Sequence, residues 1–215
     1  MNVTLIPANE YRRERWKNGL GWTREIARWP MGSEPWEWRV SIAEIEHDAD
    51  FSAFPGVERE LVLLSGEGMR LQVGDSQPVE LAPPYGRIRF DGAQAARAEL
   101  LNGPTTDYNL MWRSARVEAS LLHRPLVGPM LFFAEPGVQW LLTLLGGRAL
   151  VKDQLLPLHM EQGDSLLIDE RAQGRVIIEG GGELLLARIC RIESSQSASP
   201  MDAGPAPLDG GIEPA

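Results

Sequence analysis

The stretch "LVLLSGEGMRLQV", from Leu61 to Val73, decides how the rest of this chain is read. A run of branched apolar residues stops at Ser65. Gly66 and Gly68 follow, and "MRLQV" then alternates apolar with polar. That is the pattern of a strand, a glycine turn and a second, shorter strand. The plan returns about 80 residues later in "LLTLLGGRALV", Leu141–Val151. Downstream, "QPVELAPPYGRIRF" (Gln77–Phe90) runs parallel in pattern to "LPLHMEQGDSLLI" (Leu156–Ile168), again as strand, turn and strand. A unit that recurs in pattern at this distance is evidence of duplication.

Working outward, "TREIARW", "EWRVSIAEI", "RELVLLS", "MRLQV", "GRIRF" and "DYNLMWR" read as strands separated by Gly, Pro, Asp and Ser. No segment keeps a 3.6-residue apolar stripe, so helices are expected to be few and short. Duplicated β units of this size predict an all-β bicupin, two jelly-roll-like barrels packed together. "GDSLLI", Gly163–Ile168, resembles the loop-and-strand piece common in cupins. The expected division is residues 1–113 for the first barrel, which carries the ligand pocket, and 114–193 for the second. Residues 194–215 are rich in Ser, Ala, Pro and Gly, lack the apolar surface to offset ordering, and read as a disordered tail.

Composition narrows the function. The formal net charge of −9, without a stripe of Lys and Arg, argues against a nucleic-acid partner. "WLLTLL" and "LFFA" are far too short to span a bilayer, so no membrane association is expected. The opening "MNVTLIPANEYRRER" has no secretory signal pattern. With one cysteine, Cys190, no internal disulfide is available, and a reducing cytoplasm is the simplest expected setting. Cys190 sits in the apolar "LLLARIC" and reads as an inert core thiol.

Familiar catalytic motifs are missing. His47, His123 and His159 stand apart with no His-x-His pair, so they read as structural and no metal is expected. There is no G-x-S-x-G elbow and no Gly-Lys-Ser/Thr. "WKNGLGWTRE" (Trp16–Glu25) fails as a phosphate loop, because Arg24 stands where a third glycine belongs and a strand follows.

Strand alternation points to what remains. In "WRVSIAEI", Trp38, Val40 and Ile42 share one face and Arg39, Ser41 and Ala43 the other. In "DYNLMWR", Asp107, Asn109 and Met111 oppose Tyr108, Leu110 and Trp112. The polar sets face either solvent or a polar barrel mouth. In "FSAFPGVERE", Phe51, Phe54 and Pro55 make a stiff apolar loop, Gly56 permits a turn, and Arg59 follows. An arginine beside aromatics grips a carboxylate; the alternative is an aromatic plug with Arg59 at the rim. In the opening stretch Asn18 offers donor and acceptor, Gly19 and Gly21 permit close backbone approach, and Thr23 shares a face with Glu25, which could orient an arginine. A glycine bulge leading into an edge strand is the simpler alternative.

These stretches resemble the HutD/Ves family. "WKNGLGWTREIA", "WEWRVSIAEIEHDADFSAFPGVERELVLLSGEG" and "GPTTDYNLMWR" carry its ordered motifs from about Trp16 to Arg113. The resemblance implies a bicupin fold without a bound metal or cofactor. It also implies a link to histidine utilisation, through a pathway intermediate such as N-formylglutamate or urocanate, and for Ves-type relatives a link to stress responses. The motif positions carried over are Asn18, Gly19, Gly21, Thr23, Glu25, Trp38, Arg39 and Ser41. They continue with Phe51, Ser52, Phe54, Pro55, Gly56, Arg59, Asp107, Asn109 and Met111. Leu20 departs from the pattern, standing where the family has the middle of three glycines.

The expected function is binding of a small carboxylate in the first barrel, modulating histidine utilisation. Arg39 and Arg59 would hold carboxylates, Asn18, Ser41 and Asn109 would read polar groups, and Trp38, Phe51 and Phe54 would close the pocket. One rival is a cofactor-free hydrolase or isomerase with Glu25 or Asp107 as general base. Another is a non-catalytic interaction module. Exposed sheet edges leave room for a homodimer.

Overall fold

The computed structural model describes residues 3–152, 157–171 and 174–192. The expected tail, 194–215, lies outside the described residues. Among them the strands are β1 (Val3–Ile6), β2 (Arg12–Arg15), β3 (Gly21–Trp29), β4 (Trp38–Ile45), β5 (Ala49–Phe51), β6 (Val57–Ser65), β7 (Met69–Val73) and β8 (Val79–Leu81). They continue as β9 (Arg87–Asp91), β10 (Ala96–Leu100), β11 (Thr105–Arg113), β12 (Val117–Phe133), β13 (Val138–Lys152), β14 (Leu158–Met160), β15 (Ser165–Ile168) and β16 (Arg175–Arg191). One 3-10 turn, Ala8–Glu10, is the helical element among the described residues.

The all-β, cupin-like architecture is built twice. In the first unit, β2-β3-β4-β11-β6-β9 form one sheet and β5-β10-β7-β8 the other. The second unit is a single sheet ordered β1-β15-β13-β16-β12, with β14 added to β13. The repeat seen in the sequence holds, with one correction. "LVLLSGEGMRLQV" breaks at its glycines into β6 and β7, which pair with β9 and β8 respectively. "LLTLLGGRALV" does not break. It lies within one continuous strand, β13, bulged between Leu144 and Gly146, whose two halves pair with β15 and β14. β16 likewise spans what β11 and β10 do separately in the first unit. A bend at glycine, where no Cβ obstructs the crossing, replaces the turn.

β1 crosses the expected boundary. Val3–Ile6 pair antiparallel with Ser165–Ile168, so the start of the chain belongs to the second sheet, not with the rest of 1–113. Behind it, the Tyr11 hydroxyl donates to the Gly163 carbonyl at 2.5 Å and meets Ser165 Oγ at 2.7 Å.

The β3-β4-β11-β6 sheet is covered on both faces. Trp38, Val40, Tyr108, Leu110 and Trp112 pack with Leu121, Leu141, Leu185 and Ile189 of the second unit. The other face looks into the first unit, where Ala43, Ile45, Leu61 and Leu63 pack with Met69, Leu71 and Ala98 of the smaller sheet. A strand covered on both faces turns its polar alternate residues into the protein. That is why Arg39, Ser41 and Asn109 end inside.

Candidate functional site

A cavity of about 500 Å³ opens at the mouth of the first unit. Strand register explains its polar lining. Arg39, Met111, Arg59 and Phe90 stand side by side across β4, β11, β6 and β9. In the next row Glu25, Ser41, Asn109 and Leu61 are neighbours, and in the third Thr23, Ala43, Asp107 and Leu63. Successive strands lie about 4.8 Å apart, so two strand steps separate Arg39 from Arg59 by about 10 Å at the backbone.

Arg59 is the most unusual group here, at 4% exposure. Its guanidinium carbon lies 5.2, 5.8 and 5.0 Å from the ring centres of Phe51, Phe54 and Phe90. Nη1 donates to the Ser52 carbonyl at 3.3 Å, and Nε has no partner among the described residues. Burial lowers its pKa to about 10, opposed by Asp107, while Arg39 adds to the lowering. Among the described residues no carboxylate comes within ion-pair distance of it, so a buried cation is left facing a cavity.

Arg39 differs. Its Nε donates to Glu25 Oε2 at 2.6 Å. Arg28 grips the same carboxylate through Nε at 2.7 Å and Nη2 at 2.5 Å. Burial would raise the Glu25 pKa, but the Arg28 and Arg39 contacts outweigh it and hold the carboxylate below its ordinary range. Glu25 therefore orients arginines and makes a poor general base.

Most sequence candidates meet here. Thr23, Arg39, Ser41, Phe51, Arg59, Asn109 and Met111 line the cavity from the strands, Phe51 from β5 rather than from the loop expected of it, and Asn18 and Phe54 line it from the loops. Four do not. Gly19 supplies the turn, at φ +74°, in which Asn18 Oδ1 accepts from the Leu20 amide at 3.0 Å. Glu25 sits behind Arg39. Trp38, expected to close the pocket, faces away: it is 1% exposed in the core between the units and its Nε1 donates to Gln139 Oε1 at 2.8 Å. Alternation had already put it opposite Arg39. Asp107 lies on the inward face but deeper, fully buried below the cavity wall.

The opening loop is built around close approach. A Cβ on Gly21 would stand 2.5 Å from the Glu44 carbonyl oxygen, so the strand can pair there only as glycine. Leu20 packs against the first-unit core beside Trp16 and does not line the cavity. Trp16 donates from Nε1 to Thr23 Oγ1 at 2.8 Å and meets Phe51 edge-on at 6.0 Å. Glu14, Arg15, Trp16, Lys17, Asp50 and Ser52 add to the lining. Trp16 and Lys17 stand in the "WKNG" motif, and Arg15 closes the charged run "RRER" just before it. With Arg15, Lys17, Arg39 and Arg59 against Glu14 and Asp50, the cavity is locally basic in an acidic protein.

The HutD family model matches residues 8–186. The chain belongs to the HutD family. It is 34% identical over 182 residues to an uncharacterised 21.2 kDa protein in the hutC 3′ region of Pseudomonas putida, covering 80% of this chain and 94% of that protein. It is 33% identical over 147 residues to Protein Ves of Escherichia fergusonii, covering 65% of this chain and 74% of that one. Among solved structures, HutD from Pseudomonas fluorescens SBW25, in a formate condition, superposes with a TM-score of 0.75 at 29% identity, covering 88% of this chain and 99% of that one. The bacterial pirin YhhW of Escherichia coli, in complex with nickel(II), shares the fold at a TM-score of 0.67 and 11% identity, covering 88% and 100%. The HutD matches span both units, well beyond the motifs between Trp16 and Arg113.

The remaining sequence candidates lie elsewhere. His47 and His159 are exposed, and His123 is half-buried. No group of three His, Cys, Asp or Glu gathers among the described residues. Cys190 is half-buried on β16 rather than in the core, and its burial pushes the thiol up. No helix of the described residues is long and apolar enough to cross a membrane.

Proposed function

We propose that this HutD-family chain binds a small carboxylate in the cavity of its first unit and modulates histidine utilisation through that ligand. The observation that carries the reading is Arg59, a guanidinium 4% exposed, ringed by three phenylalanines and without a carboxylate partner among the described residues. A desolvated cation held on aromatic faces is a strong site for an anion, because little solvation is left to lose and the rings keep water out. Ser41, Asn109 and Thr23 supply hydroxyl and amide groups for the remainder of the ligand.

The expectation that two equivalent arginines each take a carboxylate is narrowed by the Glu25 contact. Arg39 is already compensated, so the strong anion position is Arg59, and Arg39 offers secondary hydrogen bonds. N-formylglutamate and urocanate both present a carboxylate together with an N–H group, and both suit a cavity of about 500 Å³. The location of the Pseudomonas putida relative in a hutC 3′ region supports a pathway intermediate as ligand.

Calorimetric titration of N-formylglutamate and urocanate is the test, with Arg59→Ala and the similarly sized Arg59→Met as controls. Binding by the native protein that weakens about tenfold or more in both variants is expected, the loss typical of a charged hydrogen bond. Absence of heat from both ligands would overturn the reading.

A further inference from the structure

Asp107 has no exposed surface, and neither of its carboxyl oxygens has a hydrogen-bond partner among the described residues. It lies on β11 two residues from Asn109, on the same face, flanked by Ala43 on β4 and Leu63 on β6. The smaller sheet adds Met69, Leu71 and Ala98 to the apolar cluster that contains both flanking residues. A carboxylate in such surroundings is costly unless a cation compensates it.

The charged groups around it are few. From β6 comes Arg59, whose pKa responds to Asp107. From β4 comes Arg39, already bound to Glu25 on β3. Asp50 on β5 is exposed at the rim and pairs with Arg97 on β10. Among the described residues Arg59 is thus the cation available to Asp107, and it is the same cation the cavity offers to a ligand. Burial pushes the Asp107 carboxyl up to about 7, with Arg59 opposing the rise. The two are coupled through a low-dielectric wall without touching, since Arg59 Nε and both Asp107 oxygens are unpartnered among the described residues.

A second anion seated on Arg59 adds negative charge to that wall and takes up the field that favours ionised Asp107. We propose that carboxylate binding at Arg59 is coupled to the uptake of one proton at Asp107. This rests on the reading that a carboxylate seats on Arg59. The balance is simple: ligand carboxylate, ionised Asp107 and one proton from solvent become bound carboxylate and neutral Asp107, with no covalent bond to carbon made or broken. The buried cluster then holds one cation and one anion, as before binding.

The sign follows from linkage. Below about pH 7 Asp107 is already protonated in the free protein, and affinity is flat. Above it each binding event must draw a proton, so affinity falls by up to about tenfold per pH unit until Asp107 of the complex also ionises. A carboxylate ligand would then be held more tightly as the surroundings acidify.

Formate and glutarate are suitable probes, titrated calorimetrically into the full chain at about pH 8 in Tris and in triethanolamine, cationic buffers of different ionisation enthalpy. The expected result is an observed enthalpy that differs between the buffers, and an affinity that falls with pH. In Asp107→Asn the enthalpies should coincide and the pH dependence should vanish. Infrared spectroscopy of the native protein gives a readout independent of that variant: a protonated-carboxyl band should grow as formate is added. Binding with equal enthalpies in both buffers and no such band overturns the coupling while leaving the carboxylate reading intact. Absence of binding by either probe removes the reading and the coupling together.

Discussion

Arg39 meets Glu25 across neighbouring strands at 2.6 Å, and the same carboxylate takes two more hydrogen bonds from Arg28. One acid thereby sets the positions of two arginines, of which Arg39 lines the cavity. Because these contacts lower the Glu25 pKa in the folded state, they stabilise the fold above the ordinary carboxylate range. That contribution is lost as pH falls through the lowered value. Glu25→Gln is expected to cost about 1–3 kcal/mol at neutral pH by urea denaturation. The gap from the native protein should close in acid, and a gap that stays constant would contradict this account.

Asp107 works in the opposite direction. Its pKa is raised, so the folded state holds the proton more tightly than the unfolded chain. Stability is therefore lost as pH climbs from the ordinary carboxylate range to about 7, and levels off above it. At about 1.4 kcal/mol per pH unit the penalty reaches about 4 kcal/mol as an upper bound. Asp107→Asn should remove the slope, so that denaturation midpoints at about pH 5 and about pH 8 differ in the native protein and less in the variant. Equal slopes would show that Asp107 ionises without cost.

Trp38 should behave as a residue of the core between the units. Replacing it by Phe leaves Gln139 Oε1 without its donor and opens space in a fully packed region. A loss of about 2–4 kcal/mol is expected by chemical denaturation, with formate affinity unchanged. Weakened binding in a well-folded Trp38→Phe protein would return it to the pocket.

Gly182 and Gly128 both have positive φ, but their surroundings differ. A Cβ on Gly182 would fall 1.9 Å from the Gly146 carbonyl oxygen, where β16 crosses the bulge of β13. A Cβ on Gly128 would meet none of the described residues beyond its chain neighbours within 4 Å. Gly182→Ala should therefore cost more than about 3 kcal/mol, and Gly128→Ala only the roughly 1–2 kcal/mol of a left-handed alanine. Thermal melts of the two variants give the comparison, and similar losses would mean that the crossing yields easily.

Several of these relationships are legible in the sequence. "WRVSIAEI" and "DYNLMWR" already separate Arg39, Ser41 and Ala43 from Trp38, Val40 and Ile42, and Asp107, Asn109 and Met111 from Tyr108, Leu110 and Trp112. The observed strands Trp38–Ile45 and Thr105–Arg113 keep that division. "RRER" and "ARAEL" are weak strand signals, since the first is charged throughout and the second puts only two alanines before Leu100 on its apolar face. Both form strands because a neighbouring strand supplies the hydrogen bonds: β3 for Arg12–Arg15, and β5 and β7 for Ala96–Leu100.

What local chemistry settles is the alternation, the turns and the company each residue keeps on its own face. These depend on the two-residue pleat and on glycine and proline, which act over a few positions. Whether a face meets water, the second unit or a cavity depends on chain far away. Arg39 and Ser41 point inward because the smaller sheet covers their side, while Trp38 is claimed by Gln139, a residue of the other unit. Val3–Ile6 likewise finds its partner in Ser165–Ile168. Burial of apolar surface is non-directional, and it gains as much from one well-fitting cover as from another. Only the assembled fold decides which cover is used, and with it that Arg59 and Asp107 share one buried wall.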